Sequence, residues 1–507
     1  MGFNFYSLRQ RLTVFTVFIF LQFFALPLLI PVFLLFGLYR FFVQILAVLF
    51  RRDLVSYVRG PGIPMALEHL TVKNSKFNVI VVAIFEGNLT LEQVLGIVEK
   101  RAADMVKPNG EKLYPELHQY WVNFMGYLFW KWDENFSFKN HIRNYEPDNL
   151  RESRPLREKD MEQILSELMP MKWTAGQSPW EAIRISNYIP TGKSEPHLAM
   201  LIRFHHTIGD GFSVKELFEN FGGVQFKTPQ MEAVKYKWWK RILRFIYLAI
   251  KMPLDMARQI TNSVDGSSSL HVLDQKLSRE YYTCVMQEEI PTKMIKEIAG
   301  RTHAKYTSVL YTAMIGGMRK VLEQANMKVP KSMACLVPLP LPARPEGLIN
   351  HMWVFALKLP IGVDSQKERL RIIDAQFQGV RSNGTIVVYL MAYKLMFLIP
   401  TPLLSFAFNR IQATMGSSVF PGPEIGVEDY LGSKLVDVFF HLGNPSGKMG
   451  IVGCTMSAMG RQHFMYMVDK TISPPEHIFN SIGTHTAQEL DSLYNTFEGQ
   501  DNPGFIV

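Results

Sequence analysis

Cysteine is scarce: Cys284, Cys335 and Cys454 are the only three among 507 residues. An odd number with no C-x-x-C spacing excludes a disulfide framework and a thiolate metal site, and it fits a reducing, cytosol-facing body. Other signatures are missing too. There is no G-x-S-x-G, no Walker loop and no G-x-G-x-x-G, which removes the common hydrolase, NTPase and dinucleotide readings. No H-E-x-x-H and no third ligand at metal spacing are present, so no metal is expected. Internal repeats and long single-sign charge blocks are also lacking. The 54 Lys and Arg against 45 Asp and Glu give a net charge of +9 spread along the chain, which suits an anionic membrane surface or anionic substrate rather than nucleic acid.

What is abundant is apolar residue near the N-terminus. Between Leu12 and Phe50 the one charge is Arg40, and the run from Leu12 to Tyr39 exceeds the ~20 residues that cross a bilayer core. It is too long for a signal peptide and lacks a small-residue cleavage site, so residues 1–60 are expected to stay as a membrane anchor. Pro27 and Pro31 leave two geometries open: one tilted transmembrane helix over about residues 12–39, or a hairpin bent at the prolines. Arg9 and Arg11 precede the run and Arg40, Arg51, Arg52 and Arg59 follow it, so the positive-inside tendency places the body in the cytosol. The sequons at Asn88, Asn135 and Asn383 are therefore expected to be unmodified.

A chain of this length outgrows one core and should form two similar lobes. After the turn signal Gly60 to Pro64, Asn78 to Phe85 reads as a buried strand and Leu89 to Arg101 as an amphipathic helix, an α/β or α+β pattern. The aromatics of Trp121 to Phe138 read as core. Lys235 to Ile250 mixes basic and aromatic residues at helical spacing, as an interfacial helix does. Thr385 to Phe408, broken by Pro400 and Pro402, reads as a buried helix pair or an element dipping into a monolayer. The polar stretch 261–275 reads as the crossover between a first lobe, 61–260, and a second, 276–507.

His197 to Phe204 is a second apolar strand, and it runs directly into His205-His206-Thr-Ile-Gly-Asp210-Gly211. An imidazole at a strand end, a carboxylate four residues after His206 and two glycines permit general-base chemistry on a tight loop.

Phe204 to Ser213 fits H-H-x-x-x-D-G without a gap. Ser178-Pro179-Trp180-Glu181 resembles P-L-W-E, Gly416-Ser417-Ser418-Val-Phe-Pro-Gly-Pro423 resembles S-N-V-P-G-P, and Arg461-Gln-His-Phe464 resembles A-G-R-x-H-F, in the same order. By these motifs, over roughly residues 61–472, the chain resembles the wax ester synthase and diacylglycerol acyltransferase family of the CoA-dependent acyltransferase superfamily. It departs at Ser418, where the family has Asn, and at Thr307-Ser308, in place of an Asn-Asp pair.

The resemblance implies a two-lobed chloramphenicol-acetyltransferase-like fold with a tunnel between the lobes. It implies His206 as base, with His205 and a mainly structural Asp210 beside it, and Gly211, Pro179, Trp180, Ser417 and Ser418 as substrate-binding positions. The implied reaction moves a long-chain acyl group from acyl-CoA, a substrate rather than a cofactor, to a long-chain alcohol or diacylglycerol. The expected place is the endoplasmic reticulum membrane or a lipid droplet. Two other readings stay open. His205 and Asp210 also form H-x-x-x-x-D, and with Arg344-Pro-Glu-Gly347 they resemble acyltransferases acting on glycerol phosphates. A non-catalytic lipid-binding scaffold is compatible with the two departures.

Overall fold

The computed structural model describes residues 8–60, 62–146, 154–226, 237–271, 276–341, 344–380, 383–408, 411–430, 432–444 and 448–497. Pro61, Lys235, Tyr236 and residues 272–275, which carry parts of the expectations above, lie outside them. The apolar N-terminal run is one helix, α1, from Leu8 to Phe50, with a π-helical turn at Leu21–Ala25. The hairpin is therefore not what the chain adopts. Pro27 has no N–H to return to the preceding turn, and the wider π turn directly before it takes up the lost register, while Pro31 stays inside the helix. Arg40 donates to the Phe397 carbonyl at 2.6 Å and lies 3.5 Å over the Tyr57 ring, so the charge inside the run faces protein.

A single helical turn, α2 (Gly62–Met65), precedes β1 (Asn78–Phe85), whose eight residues are all buried, as an unbroken apolar run requires. Helix α3 (Leu91–Asp104) starts two residues later than its apolar pattern suggests, because Thr90 and Gln93 form a capping box. Then follow β2 (Ile142–Asn144), α4 (Glu158–Leu168), β3 (Trp180–Tyr188), β4 (His197–His205) and α5 (Gly211–Gly222). Trp121, Leu128 and Trp130 sit in a small sheet of Leu54–Tyr57, Gln119–Phe124 and Tyr127–Trp132, in the core role expected of them.

Helix α6 (Trp238–Asn262) leads to β5 (Tyr281–Val285), α7 (Tyr306–Gln324), β6 (Met333–Pro340) and β7 (Met352–Leu359). Between α6 and β5, Asp265 is tied to the second lobe by the Ala334 N–H at 2.6 Å and Lys358 at 2.6 Å. The tract from Thr385 breaks at Pro400 into α8 (Thr385–Leu395) and α9 (Thr401–Phe408), which pack on α6 and α2. The chain ends with β8 (Met415–Pro421), β9 (Val427–Tyr430), β10 (Ser433–Leu442), β11 (Ile451–Ala458), β12 (Arg461–Asp469) and α10 (Ile482–Thr496).

Two sheets make the two lobes. The first has the order β9-β10-β1-β4-β3-β2 and the second β7-β6-β8-β11-β12-β5. Strands β9 and β10 leave the second sheet after β8, complete the first, and return as β11, so one arm ties the lobes together. Register then sorts the side chains by face. Val79, Val81 and Ala83 lie opposite Phe204, Ile202 and Met200 on one side and Leu442, Phe440 and Val438 on the other, and all share one face of the first sheet. The other face, with Ile80, Val82 and Ile84, clusters with Met161, Ile164 and Leu165 of α4.

In the second core, α7 and α10 touch closely at Gly316. A Cβ there would lie 2.3 Å from the Glu489 carboxylate, which Arg369, Lys320 and Gln366 hold in place. Gly316→Ala should therefore lower stability by about 1–3 kcal/mol. A thermal melt checks this, and an unchanged midpoint would refute the close packing.

Candidate active site

Strand β4 ends at His205, and the chain turns through His206 to Asp210, the N-cap of α5. The two adjacent rings have opposite fates. His205 is fully buried, with its ring 4.6 Å from Trp121 and 6.0 Å from Phe77. Its Nδ1 accepts the Thr207 N–H at 3.2 Å, so its Nε2 carries the proton and donates to Glu68 at 3.1 Å. Glu68 also receives Ser75 Oγ at 2.6 Å and the Lys76 N–H at 3.0 Å. Burial opposes the Glu68 charge, but His205 and these donors outweigh it and hold the carboxyl below its ordinary range. Both His205 nitrogens are thus committed to structure.

His206 is held the other way round. The Asn350 amide nitrogen donates to the His206 carbonyl at 2.8 Å and reaches the Thr207 carbonyl at 3.4 Å, which fixes the orientation of the amide. Its oxygen then faces His206 Nδ1 at 2.9 Å, so Nδ1 is the protonated nitrogen and Nε2 keeps its lone pair. Burial pushes the His206 pKa below its ordinary value, and the charge of Asp210 and the hydrogen bond to Asn350 offset this only in part. The neutral imidazole a general base needs is the form present near pH 7.

Asp210 acts as a clasp. It caps α5 by accepting the Phe212 and Ser213 N–H groups at 3.1 and 3.0 Å, and it accepts the His351 N–H from the second lobe at 2.8 Å. Arg344 grips both carboxylate oxygens, at 2.8 and 3.0 Å. Ser213 Oγ closes the set by donating to the Ile349 carbonyl at 2.7 Å. The residues 344–351 that orient His206 are thereby fastened to the helix that follows it.

His206 lines a cavity of ≈ 1610 Å³ that runs from the lobe junction along the apolar face of the first sheet and beneath α3. Trp180, Asp210, Gly211 and Ser418 are on its wall, as is Thr307. A Cβ at Gly211 would lie 2.9 Å from the Phe420 ring, so the glycine admits that aromatic beside the loop. Pro179, His205 and Ser417 do not line the cavity. The Pro179 carbonyl accepts the His205 N–H at 2.9 Å, and the Ser417 hydroxyl bonds to that of Tyr311. Ser308, half of the departure from the family pattern, is buried and donates to Asp374 at 2.7 Å.

Asn350 and Glu68 were not singled out from the sequence. Neither carries a local motif: Asn350 stands in Leu348-Ile-Asn350-His351, and Glu68 stands between Leu67 and His69. Asn350→Ala should lower kcat about 10²-fold with little change in KM, because the ring loses its fixed tautomer and direction while the cavity persists. Steady-state kinetics checks this, and a change confined to KM would refute the orienting role.

No protein-family model matches the chain, and no curated protein matches it in sequence. Solved structures do match. The wax ester synthase/diacylglycerol acyltransferase from Marinobacter aquaeolei VT8 aligns with a TM-score of 0.56 at 15% identity, over 87% of this chain and 100% of that one. The first condensation domain of the calcium-dependent antibiotic synthetase, in complex with a substrate analogue, aligns at 0.55 and 9% identity over 89% and 98%. The starter condensation domain of rhizomide synthetase RzmA, as a double mutant in complex with C8-CoA and Leu-SNAC, aligns at 0.52 and 10% identity over 88% and 96%. The resemblance read from the motifs thus holds in three dimensions: the protein has the two-lobed α/β fold of these enzymes and condensation domains.

Proposed function

We propose that the protein is a membrane-bound, acyl-CoA-dependent O-acyltransferase that esterifies a long-chain alcohol, and also diacylglycerol, with a long-chain acyl group. The observation that carries this reading is a histidine with its Nε2 lone pair free, set in the wall of a large apolar cavity. At ≈ 1610 Å³ the cavity exceeds the roughly 300–1,000 Å³ of ordinary small-molecule sites and has room for more than one long chain. Lys112 and Lys296 on its wall supply cations for an anionic substrate such as CoA. A condensation domain with this fold has been captured with C8-CoA.

In the reaction, His206 Nε2 takes the proton of the acceptor hydroxyl as the oxygen attacks the thioester carbonyl. The tetrahedral intermediate expels the CoA sulfur, which receives the proton from the imidazolium, leaving ester and free CoA thiol. The hydroxyls of Ser418 and Thr307 on the wall are donors suited to the oxyanion. The base cannot be His205 in this arrangement, because its Nε2–H is engaged by Glu68 and its Nδ1 by Thr207, which weighs against the glycerol-phosphate reading.

Membranes containing the full chain, given labelled palmitoyl-CoA with hexadecanol or diacylglycerol, should form wax ester or triacylglycerol. His206→Ala should lower the rate about 10²–10⁴-fold. A wild type that forms no product with any acceptor would overturn the reading in favour of a lipid-binding scaffold.

A further inference from the structure

Helix α1 is not free of the body. Near its start Val14 and Leu21 are buried against Leu254 and Ala257 of α6, and near its end Val43 and Ala47 are buried against Tyr127 and Phe129 of the small sheet. Tyr39 adds a hydrogen bond to the Met125 carbonyl at 3.2 Å. Between the two attachments, residues 26–35 cover about 15 Å at 1.5 Å per residue, half of the ~30 Å hydrocarbon core. A helix pinned at both ends to one body cannot carry the intervening stretch across a bilayer. Nor can α6 cross with it, since Lys240, Arg241, Arg244, Lys251, Asp255 and Arg258 stud its length.

The outward faces of these elements are nonetheless apolar. On α6, Trp238, Ile242, Ile246 and Ile250 recur every four residues and are 74%, 51%, 48% and 76% exposed. Helix α1 packs beside α6, α6 beside α8, and the segment linking α8 to α9 beside α1, so the apolar surfaces adjoin. Leu403 and Phe406 of α9 are exposed as well. Basic residues flank this surface, with Lys240 and Arg241 on α6 and Arg52 after α1. An aromatic and aliphatic surface this long, flanked by cations, matches the acyl boundary and anionic headgroups of one phospholipid leaflet.

We propose that the protein is monotopic: α1 lies in the plane of a single leaflet of a phospholipid membrane, with α6 beside it as a second in-plane helix. This concerns how the chain meets lipid and does not depend on its turnover. It is tested on the full chain in sealed vesicles of phosphatidylcholine and phosphatidylserine, where the buried native cysteines give little background labelling. Arg11→Cys and Arg52→Cys, at the two ends of α1, should both react with a membrane-impermeant maleimide from the body's side, with no gain when the vesicles are opened. A fluorophore on Ile246→Cys should be several-fold less quenched by aqueous iodide than one on the exposed Asp491→Cys. Labelling of one end only after opening the vesicles, or equal quenching at Ile246→Cys and Asp491→Cys, would overturn the proposal.

Discussion

The carboxylate of Asp210 sits where the two lobes meet, and the geometry of the site depends on the bonds it accepts. Two come from the first turn of its own helix and three from the second lobe, through Arg344 and the His351 N–H. A buried, fully bonded carboxylate of this kind fixes position because leaving any of its partners unpaired is costly. Its hold on the orientation of His206 is indirect. It anchors the segment that ends in Asn350, and Asn350 sets which ring nitrogen is the base. Lobe contact and the protonation state of the imidazole are thus one problem with one solution.

The same junction lies close to the apolar outer face. Leu404 of α9 is buried with Ile63 of α2 and Ala66 just after it, and a Cβ at Gly62, the first residue of α2, would lie 3.5 Å from both the Thr207 carbonyl and the Asn350 amide. A single helical turn therefore separates the loop carrying His206 from the elements that carry the exposed apolar side chains. Strand register builds the rest of the compartment: its period of two sends Val79, Val81 and Ala83 to the cavity and Ile80, Val82 and Ile84 to α4.

Local patterns were enough to read the buried strands, the helical spacing of the basic and aromatic residues of α6 and the histidine loop, because each is written in adjacent residues. Asn350 lies 144 residues from His206, and Glu68 lies 137 from His205, so no periodicity or spacing could announce either partner. Hydropathy likewise could not choose between a straight and a bent N-terminal helix, since the same prolines fit both. The choice comes from the packing of Val14 and Leu21 on α6 and of Val43 and Ala47 on the small sheet. Pro179 and Ser417 match a family pattern but lie off the cavity wall, the first accepting the His205 N–H through its carbonyl and the second bonding to the Tyr311 hydroxyl.

Acyl transfer by this site requires a neutral His206, whose pKa burial holds below the ordinary ~6.5. A protonated imidazole has no lone pair for the acceptor hydroxyl, so activity should be lost as pH falls through the pKa of the folded enzyme and be level above it. The direct measurement is kcat/KM for acyl transfer across about pH 5 to 8. A neutral His206 base predicts one acid limb with its midpoint below ~6.5 and a plateau at neutrality. A midpoint above 7, or no acid limb at all, would contradict it.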